Sequence, residues 1–151
     1  PRAPPPGTQG TLNLYLDSSV VLRVVLGEAG ALTEWESVQH AYASELVRLE
    51  CLRTIDRARI RRSIPDDEIA DRRAAVLEIL AGFEIVPMDE EIIQRASDPF
   101  PTSLGSLDAI HVASALRVRV EVPDLGLATH DVELATAARA LGFRVVGASA
   151  H

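Results

Sequence analysis

Short apolar runs and longer segments of helical periodicity alternate along this chain. The apolar runs predict strands, at residues 12–16, 84–87, 125–129 and 144–146. The periodic segments predict helices, at residues 18–27, 31–38, 44–60, 65–82, 89–96, 106–118 and 131–141. Residues 40–43 are expected to form a connection. Since strands and helices alternate throughout, we expect an α/β fold with a small parallel sheet of four or five strands sandwiched by helices.

The length of 151 residues and the hydrophobic content of 47% suit one domain with a single core. We expect that domain to span residues 12–147, with a tail at residues 148–151. Residues 1–11 are rich in proline, glycine and small polar residues, which is typical of a flexible leader or of a segment added for expression. No run reaches the roughly 18 apolar residues of a membrane span, so no membrane association is expected. The only cysteine, Cys51, cannot form an intrachain disulfide and suits a reducing cytoplasm.

Charge is distributed unevenly along the chain. The net charge of -7 is unfavourable for nucleic-acid binding, because phosphate contacts need cations. Residues 48–62, however, carry six arginines against two acids. Arg53, Arg57 and Arg61 repeat at every fourth position, so on a helix they form one cationic row. That row is either a solvated helix face or a contact for an acidic or aromatic partner, and arginine numbers decide little in a chain without lysine.

Four carboxylates stand at the edges of apolar segments, at Asp17, Glu50, Asp108 and Asp131. Each alone is explained as well by helix capping or by compensation of a helix dipole, and Glu50 also by an ion pair with Arg53. If the fold gathers the four, their mutual repulsion favours protonation or a divalent cation. Oxygen-only ligation favours Mg²⁺ or Mn²⁺ over zinc, and such ions catalyse phosphodiester cleavage through a metal-activated water.

The residues around these acids resemble the motifs of PIN-domain ribonucleases, and in particular of the VapC toxins. YLDSSVVLRVV resembles the first motif. SELVRLECLR resembles the second, where Glu50 matches the ligand position and Glu45, which cannot share its helix face, does not. SLDAIHVASAL resembles the third motif and LATHDVELATAARALGFRVV the fourth, so the resemblance covers residues 12–146. It implies that four residues are both catalytic and metal-binding: Asp17, Glu50, Asp108 and Asp131.

As the resemblance implies, the protein would be a toxin that cleaves RNA as a Mg²⁺- or Mn²⁺-dependent endoribonuclease. It would act in the cytoplasm as a homodimer, and a cognate VapB-like antitoxin would inhibit it by blocking the acidic cleft. The arginine row would contact RNA or the antitoxin. Ser18, Ser44 and Thr129 would support the acid site. No histidine is assigned a catalytic role, although His111 could orient Asp108 or touch RNA.

Two other classes of protein are compatible with parts of this pattern. One is a PIN-like domain without nuclease turnover that serves as a binding module. The other is a different α/β phosphohydrolase with an acid site, such as an aspartyl-phosphate phosphatase. The strand-end Asp17 suits that enzyme, but a second aspartate is expected two residues later, where Ser19 stands. No G-x-G-x-x-G follows the first strand, which argues against a nucleotide-binding dehydrogenase.

Overall fold

A computed structural model describes residues 12–149, which contain a five-stranded sheet with helices on both faces. The strands are β1 Leu12–Leu16, β2 Val38–Ser44, β3 Glu84–Val86, β4 Gly126–Ala128 and β5 Val145–Val146. They lie in the order β3–β2–β1–β4–β5, and every neighbouring pair is parallel. The predicted α/β fold is confirmed. The predicted leader, residues 1–11, lies outside the described residues, as do residues 150 and 151 of the predicted tail.

Six α-helices connect and flank the strands. They are α1 Ser18–Val25, α2 Leu46–Arg62, α3 Asp66–Ala81, α4 Glu90–Ser97, α5 Ser106–Glu121 and α6 Val132–Ala140. A single 3-10 turn, Trp35–Ser37, precedes β2. Within residues 12–149, no helix is both long enough and apolar enough to cross a membrane.

Two large apolar clusters hold the helices in place. One joins α1, α2 and α3 through buried side chains that include Val21, Cys51 and Val76. The other joins α4, α5 and α6 to the sheet around Tyr15 and Leu127. Because each helix buries an apolar stripe in one of these clusters, the loops at the carboxyl ends of the strands are held by packed elements.

The second strand differs from the prediction. Of the short helix predicted at residues 31–38, only the 3-10 turn Trp35–Ser37 forms, and the connection predicted at residues 40–43 is wrong, because Val38–Ser44 is a strand. The sequence of this segment shows no clear strand pattern, because two polar residues, Gln39 and His40, are exposed and only Ala43 and Ser44 are buried. Pairing with β1 on one side and β3 on the other satisfies its backbone along both edges. Tertiary pairing therefore overrides a weak local pattern.

Gly147, just after β5, holds the sheet edge close to the start of the loop after β4. Its φ is +92°, and a Cβ there would lie 2.7 Å from the backbone oxygen of Thr129 and 3.3 Å from the ring of His130. We expect Gly147→Ala to destabilise the fold by about 3 kcal/mol, through left-handed strain plus this clash. Gly142→Ala is the matched control, because its φ is +87° and its Cβ would meet only Arg119 Nη1, at 3.8 Å.

The control should cost only the strain, about 1 kcal/mol. Urea denaturation of both variants measures the two losses. Equal losses would show that the contact with the Thr129 carbonyl is relieved without cost, and that the loop after β4 is softer than the structure indicates.

Candidate metal centre at the carboxyl edge of the sheet

The strand order places a crevice at the carboxyl end of β1. This strand pairs with β2 on one side and with β4 on the other, so the connections that leave the sheet diverge between β1 and β4. Ligands bind in such crevices in open parallel sheets. Asp17 directly follows β1, and Asp131 follows β4 by three residues. These two acids therefore lie on either side of the crevice.

Asp17 is only 5% exposed and is held from three directions. Its Oδ1 accepts hydrogen bonds from the Ser19 hydroxyl at 2.5 Å and from the Val20 amide at 3.4 Å, so it is the N-cap of α1. Its Oδ2 accepts one from the Thr129 hydroxyl at 2.7 Å. Burial raises the pKa of Asp17, and the hydrogen bonds from Ser19 and Thr129, together with the charge of His111, oppose that rise.

Thr129 contacts both acids, Asp17 through its carboxylate and Asp131 through its backbone. While its hydroxyl donates to Asp17, the same oxygen accepts the backbone N–H of Asp131 at 3.0 Å. Asp131 in turn caps α6, because its Oδ1 accepts the Leu134 amide at 3.0 Å. The fully buried Thr129 thus ties the acid after β1 to the acid after β4. The predicted supporting residue Thr129 does lie in the site, and its functional role stays a prediction.

A serine that the sequence did not single out completes this part of the site. Ser19 donates to Asp17 and accepts the backbone N–H of His130 at 3.0 Å. Ser18, which was predicted to support the site, instead opens α1 and makes no side-chain bond to Asp17 among the described contacts. The spacing of Ser19, two residues beyond the acid that caps the helix, is the sequence signal that could have identified it.

Glu50 reaches the site from α2 and is held by a buried histidine. His111, on α5, is 1% exposed, and its Nε2 lies 2.5 Å from Glu50 Oε1. Its Nδ1 lies 2.7 Å from the hydroxyl of Tyr15, which also accepts the Ser44 amide at 3.1 Å. The N–H at Nε2 donates to Glu50 both when the phenol donates to a neutral Nδ1 and when the phenol accepts from a protonated one. His111 therefore orients Glu50, and the prediction that it could orient Asp108 is wrong in the identity of the carboxylate.

The hydrogen-bonded chain of Glu50, His111, Tyr15 and Ser44 also sets protonation. Burial lowers the pKa of His111, but the hydrogen bond and charge of Glu50, with the charges of nearby aspartates, outweigh burial and leave that pKa raised. Burial raises the pKa of the Tyr15 phenol, so this hydroxyl keeps its proton at neutral pH. Ser44 adds a second bond, since its hydroxyl accepts the Leu46 amide at 3.1 Å where α2 begins. Its predicted role as a supporting residue of the site stays a prediction.

Asp108 lies in the first turn of α5 and is the half-buried member of the group. Its pKa is raised to about 6, first by burial, next by the charge of Asp131 and further by those of Asp17 and Glu50. The charge of His111 opposes this rise. The charges of the other three predicted acids thus all act on Asp108, and the role of the four as metal ligands stays a prediction.

The donor set of this site fits a hard divalent cation. Four carboxylates supply oxygen ligands, which suit Mg²⁺ or Mn²⁺, and they carry more negative charge than His111 can offset. Among residues 12–149, no three histidine, cysteine or acidic side chains already stand where they could hold one ion together. Joint ligation of one ion by three of these acids would therefore need side chains to move, and one oxygen each of Glu50 and Asp131 is already engaged, by His111 and by the Leu134 amide.

The other predicted site residues lie outside this centre. The arginine row is exposed on α2, where Arg53 forms an ion pair with Asp56 at 3.0 Å. Arg57 donates to the Thr54 hydroxyl at 3.0 Å. Glu45 is exposed at the start of α2, which agrees with the choice of Glu50 as the acid of the site.

The fold and the site together define a class of small parallel α/β domains with an acidic centre at the switch point of the sheet. The model of the PIN domain family matches residues 14–140. Ribonuclease VapC46 of Mycobacterium tuberculosis is 33% identical over 139 residues, which cover 90% of this chain and 98% of that protein. Ribonuclease VapC47 of the same species is 30% identical over 137 residues, covering 86% and 93%. The chain therefore belongs to the PIN-domain family, and within it to the VapC group.

Solved structures share the fold at lower sequence identity. A toxin–antitoxin complex from Klebsiella pneumoniae contains a chain with a TM-score of 0.62 and 15% identity, covering 91% of this chain and 97% of that one. VapBC2 from Rickettsia felis, bound to a DNA fragment from its promoter, contains one with a TM-score of 0.59 and 8% identity, covering 89% and 97%. At these identities the likeness concerns the fold alone.

The buried hydroxyl of Tyr15 should contribute substantially to the stability of the fold. Tyr15→Phe leaves the Ser44 amide and one nitrogen of His111 without partners, so we expect a loss of about 2 kcal/mol in the free energy of unfolding. Tyr42→Phe, one strand away, is the matched control, since the Tyr42 hydroxyl makes no hydrogen bond within residues 12–149. Denaturant titration compares the two, and a neutral Tyr15→Phe would mean that the chain to Glu50 is not rigid.

Asp108 should destabilise the metal-free protein when it is ionised. In the folded protein the pKa of Asp108 is about 6, above the usual value of 3.8. The free energy of unfolding therefore falls as pH rises from 3.8 to about 6, and it stays low at higher pH. We expect Asp108→Asn to stabilise the EDTA-treated protein by about 1 kcal/mol near neutral pH, after a discount for partial exposure. Near pH 4 the gain should be close to zero. Urea denaturation at both pH values measures it.

The control is Asp71→Asn, which changes an exposed carboxylate of α3 remote from the cluster. It should show no such dependence on pH. An equal gain for Asp108→Asn at both pH values would argue that the other acids do not repel Asp108.

Proposed function

We propose that this protein is a toxin endoribonuclease that hydrolyses RNA phosphodiester bonds at a Mg²⁺ or Mn²⁺ site. The observation that carries the proposal is the position of four carboxylates from separate parts of the chain: Asp17 and Asp131 border the crevice at the switch point of the sheet, and the charges of Asp131, Asp17 and Glu50 act on Asp108. The two VapC relatives that are named ribonucleases support the same reaction. The ligands would be Asp17, Glu50, Asp108 and Asp131.

Two of the proposed ligands, Asp17 and Glu50, are held in place by neighbouring side chains. Thr129 and Ser19 hold Asp17 in one orientation, which lowers the entropic cost of binding a cation. His111 plays the same part for Glu50. When bound, the divalent cation would supply an activated water and neutralise charge on the phosphate. The chain's own part is to hold that cation and to orient the RNA beside it, and no histidine or serine is required as a nucleophile.

The biological setting follows from the relatives and structural neighbours. The neighbours in Klebsiella pneumoniae and Rickettsia felis are described as toxin–antitoxin assemblies. We therefore propose a cognate VapB-like antitoxin as the inhibitor of this chain, a homodimer as its oligomeric state and the cytoplasm as its compartment. RNA is the substrate, and the acidic centre is the surface that the antitoxin would have to block.

Replacement of Asp108 should separate catalysis from folding. Asp17 and Asp131 cap helices, so their removal also weakens the fold, whereas Asp108 makes no cap. We expect Asp108→Asn to lower the rate of RNA cleavage by about 10²- to 10³-fold with the melting temperature unchanged or raised. Total cellular RNA, incubated with Mg²⁺, Mn²⁺ or EDTA and read by end mapping, is the assay, with Asp71→Asn as the control.

Metal affinity provides a second readout that does not depend on finding the target RNA. Titration of Mn²⁺, followed by electron paramagnetic resonance, should give weaker binding for Asp108→Asn than for the wild type or Asp71→Asn. Cleavage that persists in EDTA would contradict the metal-dependent mechanism. Metal binding without cleavage of any cellular RNA would favour a binding module over an enzyme.

A further inference from the structure

One face of α2 leads away from the acidic centre and carries two exposed arginines. An α-helix turns about 100° per residue, so the position of Glu50 defines the direction that faces the site. Arg57 and Arg61 lie within about 20° of that direction, and Thr54 lies about 40° from it. Along the axis, Arg57 is about 10 Å and Arg61 about 16 Å beyond Glu50. The two guanidinium groups therefore extend in line from one of the four acids.

The arginines of α2 differ in how their charge is compensated. Arg53 pairs with Asp56 at 3.0 Å, and Arg59 pairs with Asp66 at 2.9 Å. Arg57 instead donates to the uncharged hydroxyl of Thr54, which holds its guanidinium along the helix face without neutralising it. Arg61 is exposed and forms no ion pair within residues 12–149. Of the four arginines of α2 that form no ion pair within residues 12–149, Arg57 and Arg61 therefore lie on the Glu50 side of the helix, whereas Arg48 and Arg62 lie about 160° and 120° from Glu50.

An RNA substrate needs such a charge in this protein. The net charge is -7, and the four acids at the centre repel phosphate as well as one another. Affinity for a nucleic-acid strand comes chiefly from cations that replace its counterions. A guanidinium suits this task because its planar fork can donate two hydrogen bonds to one phosphate.

We propose that Arg57 and Arg61 bind the backbone phosphates of a single-stranded RNA whose scissile phosphate lies at the acidic centre. Arg53 and Arg59 take no part. The inference rests on the proposed function, since it assumes that RNA is the substrate. It also divides the arginine row of the sequence, because Arg53 lies about 60° from the direction of Glu50 and is already paired.

The side chains on the Glu50 side of α2 favour RNA over an acidic peptide as the molecule that binds there. The face of Glu50, Thr54, Arg57 and Arg61 carries no large apolar side chain. A peptide that docks as a helix needs apolar anchors, and the exposed apolar residues of α2, Leu49 and Ile60, lie about 80° to 100° away. An entirely polar row of two cations is suited to a sugar-phosphate backbone, which offers charge without apolar anchors.

Binding of a defined RNA tests the assignment. The probe is a fluorescently labelled single-stranded RNA of about 20 nucleotides and mixed sequence, which is long enough to span the row. The protein carries Asp108→Asn, so that the probe is not cut, and fluorescence anisotropy gives Kd over a series of salt concentrations. Arg57→Gln and Arg61→Gln are made singly and together, because glutamine keeps the helix propensity of arginine.

Each lost phosphate contact should weaken binding about fourfold at 0.15 M salt, and loss of both about 15-fold. The slope of log Kd against log salt should fall by about 1.4 in the double variant. Arg59→Gln is the matched control: it makes the same change on the same helix, about 180° from Glu50, and should alter Kd by less than about twofold. Circular dichroism melting confirms that all variants fold.

Four outcomes would count against the proposal. If the Asp108→Asn protein with both arginines present binds no single-stranded RNA, the result contradicts the proposed function and the inference together. If the RNA binds but its Kd is unchanged by the loss of both arginines, the inference alone is overturned. The same holds if Arg59→Gln weakens RNA binding as much as the loss of both arginines does. A poly-glutamate peptide of equal charge is the last probe. If the peptide binds as tightly as the RNA, and the same arginine variants weaken its binding, Arg57 and Arg61 form a surface that binds acidic peptides instead.

Discussion

Repulsion among carboxylates at the carboxyl edge of the sheet is the constraint on which the rest of this structure depends. Asp17 is almost entirely buried, and Asp108 has a pKa raised to about 6 by burial and by its three acidic neighbours. A fold tolerates such a group only if hydrogen bonds offset part of its cost. That requirement accounts for the hydroxyls of Ser19 and Thr129 on Asp17 and for the buried His111 against Glu50.

The bonds that offset this cost also join the elements of the fold. The Thr129 hydroxyl links the end of β1 to the end of β4, and the Tyr15 hydroxyl links β1 to β2 and α5. His111 then connects α5 to α2 through Glu50. Every element that supplies an acid is therefore tied to another by a polar contact close to that acid. Rigid support of this kind lets a site hold several like charges within reach of one cation.

Local sequence was enough for most elements and for the four acids, but not for the contacts between them. The predicted helix that begins at residue 89 is one example, since Asp89 is its N-cap and accepts the Ile92 amide at 3.1 Å. β2 was missed because its pairing with two strands, and not its own pattern, makes it a strand. The link of His111 to Glu50 spans 61 residues, and the link of Tyr15 to His111 spans 96. Contacts so distant in sequence leave no periodic signal, so a single sequence cannot reveal them.

Capping and metal binding are compatible roles for the same aspartates. An N-cap carboxylate uses one oxygen to accept an amide at the start of a helix, and Asp131 does so with Oδ1 alone. Its second oxygen is left for a cation, at the end of the helix where the dipole already favours negative charge. Asp17 departs from this scheme, because Thr129 occupies its Oδ2. Both oxygens of Asp17 already accept hydrogen bonds, so a cation would share one of them with its donor or displace that donor. Sharing is the less costly arrangement, because it keeps the bond that ties β1 to β4. The buried hydroxyl of Thr129 then stays hydrogen-bonded.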